Sequence, residues 1–204
     1  MSELSRALGD IERIRQQVAE SAVFRGYGPA TVAGTGLLAV LASLVQSAWL
    51  PEPGARHAAY LLLWIGTAVA SILLIAFEMF ARTRRMHTCM ASAMVRMAVE
   101  QLLPAVAVGV LLTVAVARYV AADFWMLPAL WQVIFSLGIF ASCRFLPRYA
   151  VLAGGWYLVS GLVLISFAGA RALSPWAMGL PFGAGQILAA MALLWGAKEE
   201  EDAE

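Results

Sequence analysis

The stretch FWMLPALWQVIFSLGIFASC, from Phe124 to Cys143, contains no Asp, Glu, Lys or Arg over its 20 residues. As an α-helix it would be about 30 Å long at 1.5 Å per residue, which matches the hydrocarbon thickness of a bilayer. It therefore predicts a membrane-spanning helix. Five further windows without these charged residues flank it: Gly26 to Pro51, His57 to Phe77, Gln101 to Ala117, Tyr149 to Ala170 and Ala172 to Ala197.

The composition of the 204-residue chain agrees with a membrane location, since 62% of the residues are hydrophobic and 13% are charged. The mean hydropathy of +0.79 would leave a soluble domain of this size with more apolar surface than one core can bury. The windows are continuously apolar rather than alternating, so they predict helices and not a β-barrel. We expect an all-α polytopic membrane protein with six transmembrane helices, at about 28–50, 58–80, 99–118, 124–142, 149–169 and 175–196.

The Lys and Arg residues indicate the orientation of the six crossings, because short cytoplasmic loops carry an excess of them. Eleven of the 14 Lys and Arg residues fall in the N-terminal segment, the second loop, the fourth loop and the C-terminal tail. The loops on the opposite side contain only Arg56, Arg118 and Arg171. This distribution predicts that both termini are cytoplasmic.

The predicted six-helix bundle comprises residues 28–197 and is expected to contact membrane lipid. Two segments lie outside it. Residues 1–27 carry apolar side chains at helical spacing and predict a cytoplasmic amphipathic helix. This helix either lies on the membrane surface or docks a partner protein through residues 2–25. Residues 198–204 form an acidic cytoplasmic tail, which brings the net charge to +1, and no nucleic-acid partner is indicated.

Residues that could hold a metal ion or a cofactor are few. His57 and His87 lie at opposite ends of the second predicted helix, roughly 45 Å apart at 1.5 Å per residue. They cannot ligate one haem or one metal ion together, and the two cysteines, Cys89 and Cys143, do not form a CxxC pair. We therefore predict no cofactor, no metal site and no catalytic residue.

A set of polar and aromatic side chains falls near the middle of the predicted bilayer. An amide that faces lipid is costly, so Gln132 and Gln186 are expected to point into the bundle. One interpretation is that these side chains form hydrogen bonds between helices. The other is that they line an internal cleft for a neutral or amphipathic molecule, and the residues predicted for that cleft are Trp131, Gln132, Trp156, Tyr157, Ser160 and Gln186.

Two carboxylates, Glu78 and Glu100, lie close to the predicted cytoplasmic membrane surface. Glu78 precedes Arg82 by four residues and Glu100 follows Arg96 by four, which is the spacing of ion pairs on one helix face. They are either interfacial ion pairs or groups that couple transport to a proton or a cation, since a charge within a crossing is a functional candidate.

The sixth window contains Pro181 between Gly179 and Gly183. The two glycines have the GxxxG spacing that allows helices to approach closely. The proline should kink the helix and free backbone groups, which a neighbouring helix or a ligand must then satisfy.

Three stretches resemble a group of uncharacterised bacterial inner-membrane proteins with six helices. They are the run from Ile14 to Ser21, the segment LPALWQVIFSLGIFAS from Leu127 to Ser142, and the pattern of the last helix from Trp176 to Trp195. The resemblance implies six helices and a location in the bacterial cytoplasmic (inner) membrane. It carries over no catalytic or ligand-binding residue.

The sequence leaves three functions open. The first is a non-enzymatic accessory or regulatory module that binds a partner protein or a small amphipathic ligand within the bundle. The second is a small transporter or permeation unit that works as a homo-oligomer, because six helices without a buried charge offer few coupling groups. The third is an intramembrane enzyme that acts on lipid or quinone, although its carboxylates would be few and close to the membrane surface.

Overall fold

The computed structural model describes the chain from residue 28 almost to its C-terminus. The described residues are 28–86, 89–143, 146–167 and 169–201, with side chains included except at 82–99, 101–102, 170 and 200–201. The amphipathic helix predicted over 1–27 lies outside these residues, as do positions 202–204 of the acidic tail.

The described residues form six α-helices and two short 3-10 helices. The α-helices are α1 (Pro29–Trp49), α2 (His57–Met86), α3 (Cys89–Tyr119), α4 (Leu127–Ser142), α5 (Ala150–Ile165) and α6 (Pro175–Glu201). The 3-10 helices, Ala121–Met126 and Gly169–Leu173, precede α4 and α6 respectively. The all-helical prediction is therefore confirmed for the part of the chain that the structure describes.

Four helical segments are long and apolar enough to cross a membrane: Pro29–Trp49, His57–Ala81, Ala121–Ser142 and Pro175–Glu199. Two shorter apolar segments accompany them, Leu103–Tyr119 in α3 and Ala150–Ile165, which is all of α5. The described part of the chain is thus all-helical, with four long and two shorter apolar helices, and it is compatible with a membrane location.

Prolines and one glycine explain several helix ends. Pro29, Pro128 and Pro175 lie at the starts of α1, α4 and α6, where the missing N–H would have no partner within the helix. The fifth predicted segment, 149–169, is longer than α5, which ends at Ile165. The chain then turns and reaches Gly169, whose φ of 83° is a conformation that favours glycine.

The most extensive helix contact joins α1 to α6, and it depends on small residues. A Cβ atom at Gly179 would lie 2.7 Å from Cβ of Ser43, and one at Gly36 would lie 3.1 Å from the carbonyl oxygen of Gly183. The GxxxG spacing of α6 is therefore turned toward α1. Backbones that approach this closely gain van der Waals contact, which is a main source of helix association in lipid.

The helices follow each other around the bundle in the order α1, α6, α5, α4, α3 and α2. At the end that contains the two 3-10 helices, called here the 3-10 end, a buried cluster closes the bundle. Its members include Leu50, Tyr60, Trp64, Phe124, Leu127, Leu173 and Met178. At the opposite end, called the hairpin end, α2 finishes and α3 begins.

Candidate functional site

Pro181 interrupts the backbone hydrogen bonds of α6 inside the bundle. In an α-helix the N–H of residue 181 would donate to the carbonyl of Ala177, but proline has no N–H. The side chain of Gln132 replaces this donor, because its Nε2 lies 3.0 Å from the carbonyl oxygen of Ala177. Gln132 is fully buried, so the prediction that it points into the bundle is confirmed.

Two aromatic residues of α5 donate to carbonyls of α6 close to Pro181. Trp156 Nε1 lies 2.9 Å from the carbonyl oxygen of Pro181, and the Tyr157 hydroxyl lies 3.4 Å from that of Phe182. The Tyr157 ring occupies the space that a side chain at position 185 would need, since that residue is glycine. Helices α4 and α5 thus supply three donors to the part of α6 around Pro181.

The remaining predicted cleft residues lie in other contacts. Gln186 is half-buried at the contact of α6 with α1, because a Cβ atom at Gly36 would lie 2.9 Å from Cβ of Gln186. Trp131 donates from Nε1 to Thr113 Oγ1 of α3 at 2.8 Å. Ser160 donates to the carbonyl of Tyr157 within its own helix at 3.2 Å. The donors of Trp131 and Ser160 are therefore engaged, and a ligand-lining role for this set of residues stays a prediction.

A second buried amide, Gln46 of α1, was missed by the sequence analysis. Its Nε2 donates to the carbonyl of Leu173 at 2.7 Å, and its Oε1 accepts from Trp64 Nε1 at 2.8 Å. It therefore joins α1 to α2 and to the second 3-10 helix. The signal that could have found it is the run of small or polar residues at helical spacing, Gly36, Ala39, Ser43 and Gln46, which forms the buried face of α1.

Two buried side-chain oxygens have no hydrogen-bond partner among the described residues: Tyr60 Oη and Gln132 Oε1. Tyr60 is surrounded by aromatic rings, with Phe124 edge-on at 5.8 Å and Trp131 stacked at 6.5 Å between centroids. Stacking of His57 on Phe124 at 3.9 Å extends the same cluster. The cluster contributes apolar contact at the 3-10 end, while each unpaired oxygen costs about 1–3 kcal/mol.

Helices α2 and α3 make fewer contacts with each other than any other two neighbouring α-helices among the described residues. Residues 65–81 of α2 and residues 103–112 of α3 are all exposed or half-buried. On α2, Leu74 lies 3.8 Å from the position of a Cβ at Gly34 of α1, which identifies the flank that faces α1. The opposite flank includes Ala68 and Ile72, and both are exposed. We call this apolar gap the α2–α3 opening.

Aromatic side chains lie inside the bundle next to this opening. The Phe135, Tyr157 and Phe182 rings form a cluster where α4, α5 and α6 meet, with centroid distances of 4.8–5.6 Å. Phe182 also packs against the cluster around Tyr60 of α2, which places it on the inner side of α6. Phe135 and Phe182 are nevertheless only half-buried. Phe182 therefore joins these interior rings to the aromatic cluster from which α2 and α3 extend.

The two carboxylates predicted for ion coupling are placed differently. Glu78 is half-buried near the hairpin end of α2, and its Oε2 accepts a hydrogen bond from the backbone N–H of Gly28 at 2.9 Å. Gly28 is the N-cap of α1 and has no side chain to cap that helix, so Glu78 supplies the cap from α2. Glu100 is exposed on α3. The side chains of Arg82 and Arg96, their predicted partners, lie outside the described ones.

A polar group fixes the end of α6 to the connection between α4 and α5. The Tyr149 hydroxyl donates to Glu199 Oε1 at 2.6 Å, and Arg148 forms an ion pair with the same oxygen. Hydrogen bonding to Tyr149 and the charge of Glu199 raise the pKa of Arg148 above its usual value. Gly196 lies directly against Pro147, which allows the close approach. The start of the acidic tail is thus held against the fourth loop.

The described residues contain no group of three or more His, Cys, Asp or Glu side chains that could hold a metal ion. Cys143 is a half-buried free thiol. Comparison with protein family models, with curated proteins and with solved structures finds no match to this chain.

The role of Gln132 predicts a specific coupling with Pro181. We expect Gln132→Leu to lower the free energy of unfolding by about 1–2 kcal/mol, because the carbonyl of Ala177 then has no donor. In a Pro181→Ala background, the new N–H at 181 can bond to that carbonyl, so the same substitution should cost less than half as much. Equilibrium unfolding in mixed micelles measures both values. Gln46→Leu is the matched control and should cost the same in both backgrounds, whereas an undiminished cost of Gln132→Leu would contradict the proposed role.

The contact of Glu78 predicts a difference between two substitutions. Glu78→Gln keeps an oxygen that can accept from Gly28, whereas Glu78→Leu removes it and should cost about 1 kcal/mol of capping. Hydrogen exchange of the first turn of α1 should therefore rise about fivefold in the Leu variant and remain near the wild-type rate in the Gln variant. Glu52→Leu, in the loop after α1, is the control. Equal exchange in all variants would show that Glu78 does not cap α1.

Proposed function

We propose that this chain is a non-enzymatic integral protein of the bacterial inner membrane that crosses the bilayer six times, with both termini in the cytoplasm. Support comes from the distribution of Lys and Arg, since the side of the chain that contains the ends of α1, α3 and α5 and the connections after them has only Arg56, Arg118 and Arg171. The two 3-10 helices lie on that arginine-poor side. In this orientation the hairpin end faces the cytoplasm.

The orientation predicts which residues a membrane-impermeant maleimide can reach in intact cells. In a background with Cys89→Ser and Cys143→Ser, a cysteine introduced by Glu52→Cys should be labelled. The variant Lys198→Cys should be labelled only after the cells are opened, because the end of α6 is expected inside. The reverse pattern would overturn the proposed orientation.

We further propose that the protein is an accessory or regulatory module that binds a small amphipathic ligand through the α2–α3 opening. The observation that carries this proposal is the combination of an apolar gap at the bundle side with half-buried Phe135 and Phe182 behind it. Binding sites for small molecules are mostly apolar clefts with aromatic linings. In a membrane, a lateral gap is also the direct entry route for a molecule that is dissolved in lipid.

The polar residues around Pro181 support this choice of site indirectly. The side chains of Gln132, Trp156 and Tyr157 donate hydrogen bonds to the carbonyls of α6. These bonds hold α4, α5 and α6 together. The wall opposite the opening is therefore rigid. By contrast, α2 is the least buried of the four long apolar helices. A pocket that admits a ligand needs one wall that keeps its structure and another that can yield. The tightly bonded helices α4, α5 and α6 and the loosely packed α2 fit these two roles.

Native mass spectrometry of the protein, extracted gently from its host membrane, tests the proposal. We expect about one retained amphipathic molecule per chain in the wild type. Ala68→Trp should remove it, because the indole would fill the α3-facing flank of α2. Leu73→Trp is the control: Leu73 is also exposed, but it lies about 140° around the helix from Ala68 and about 100° from the α1-facing Leu74, so this variant should retain the molecule.

Other outcomes of this measurement would decide against the proposal. Equal retention in both tryptophan variants would show that the opening is not the site. A second polypeptide in fixed ratio, without a small molecule, would make the chain an accessory subunit that binds a protein partner. A closed homo-oligomer that releases no ligand would favour the transporter or permeation unit instead.

A further inference from the structure

We propose that the α2–α3 opening binds one anionic phospholipid of the cytoplasmic leaflet, with an acyl chain between the two helices and the headgroup phosphate at the hairpin end. This inference rests on the proposed function and names the chemical class of its ligand. It is carried by three observations: the depth of the opening, the apolar character of its walls and the position of the arginines.

The depth of the opening corresponds to one leaflet. The first part of α2, from His57 to Trp64, belongs to the closed aromatic cluster. This part is about 10 Å long, measured along the helix from the 3-10 end. The opening then continues along residues 65–81, about 24 Å, to the hairpin end. Half of a hydrocarbon core measures about 15 Å. An acyl chain from the cytoplasmic leaflet therefore fits within the opening, and the remaining length reaches the headgroup region.

The walls of the opening suit an acyl chain rather than a polar molecule. The residues of α2 on this side include Ala68, Ile72 and Ile75, and the facing part of α3, residues 103–112, is LPAVAVGVLL. The hydroxyl of Thr67 donates to the carbonyl of Leu63 within α2. Ser71 donates to Thr67 in the same way. These hydroxyls therefore leave the wall without free donors.

Positive charge is concentrated where the headgroup would lie. Arg82, Arg84 and Arg85 belong to the last turns of α2, and Arg96 lies on α3 near its start. The glutamates on the same two helix ends are Glu78 and Glu100. Glu78 already accepts the hydrogen bond from Gly28. The four arginines and two glutamates together carry a net positive charge. This charge favours a phospholipid whose phosphate is not neutralised by an amine in the same headgroup.

A second copy of this chain fits the opening less well than a lipid. Another helix would have to enter between α2 and α3 along its whole length, yet the two helices are joined at the hairpin end and both contact the closed cluster at the 3-10 end. A single acyl chain has a smaller cross-section than a helix with side chains, about 10–12 Å across. It can enter sideways from the leaflet without separating these two fixed ends.

Lipid titration by native mass spectrometry tests the proposal on the full chain. The probes are phosphatidylglycerol and phosphatidylcholine with identical dioleoyl chains. We expect one phosphatidylglycerol to bind at least tenfold more tightly than phosphatidylcholine. The triple variant Arg82→Gln, Arg84→Gln and Arg85→Gln should remove this preference. Each arginine lost should weaken the binding of phosphatidylglycerol about fivefold. Lysine at the same three positions should retain most of the preference.

A matched control uses the arginines of the opposite side. The triple variant Arg56→Gln, Arg118→Gln and Arg171→Gln also removes three positive charges and should leave the preference unchanged. Ala68→Trp should weaken the binding of both lipids, because it blocks the acyl site. The preference should also persist in millimolar inorganic phosphate, since the phosphate group alone lacks the chain that fills the opening.

The outcomes separate this inference from the proposed function. If both lipids bind equally and Ala68→Trp removes both, the opening is a ligand site but the ligand is not an anionic lipid. If the arginine variants lose phosphatidylglycerol while Ala68→Trp retains it, the charge attracts headgroups at the surface without the opening, and the inference is wrong. If no variant changes the binding of either lipid, the inference and the proposed function both fail.

Discussion

The missing N–H of Pro181 is the constraint around which the bundle is organised. In a hydrocarbon environment a free carbonyl cannot be hydrated, so the oxygen of Ala177 must find a donor inside the protein. Gln132 supplies this donor from α4, and Trp156 and Tyr157 bond from α5 to the carbonyls of Pro181 and Phe182. The compensation of the missing donor in α6 and these two adjacent contacts together link three helices. The same requirement explains why an amide, which is costly to bury, lies at the centre of the bundle.

Small residues and amides make close contacts on some helices and not on others, and this difference determines which helices are tightly packed. On α1, Gly36 and Ser43 let the backbone approach α6, while Gln46 bonds to the end of the second 3-10 helix. Helices α2 and α3 also contain small residues beyond the aromatic cluster, but a Cβ atom at Gly66 or at Gly109 would meet no atom within 4 Å. Association in lipid needs close backbone contact or hydrogen bonds, because apolar side chains alone gain little over lipid tails. The looser attachment of α2 and α3 follows.

The sequence was sufficient to predict the apolar helices, the inward direction of Gln132 and the missing donor at Pro181, because each follows from local composition or from the chemistry of one residue. The kink predicted at Pro181 does not interrupt α6, which is described as one helix from Pro175 to Glu201. It could not show that Gln132 caps Ala177 rather than another group, since this depends on the relative rotation of α4 and α6. Gln46 was not predicted because it lies near the end of its apolar window. Its burial depends on the packing of the second 3-10 helix against α1, which the sequence does not reveal. The early end of α5 likewise reflects the turn before Gly169.

The two ends of α2 are held by different forces, and this bears on how a ligand could enter. At the 3-10 end, the ring of Tyr60 and the bond from Trp64 to Gln46 fix the helix in a fully buried cluster. Toward the hairpin end, Glu78 joins α2 to the start of α1, on the flank away from α3. Between these two anchors α2 makes few contacts with α3. Under the proposed function, a molecule bound in the opening would therefore replace lipid there without breaking either anchor.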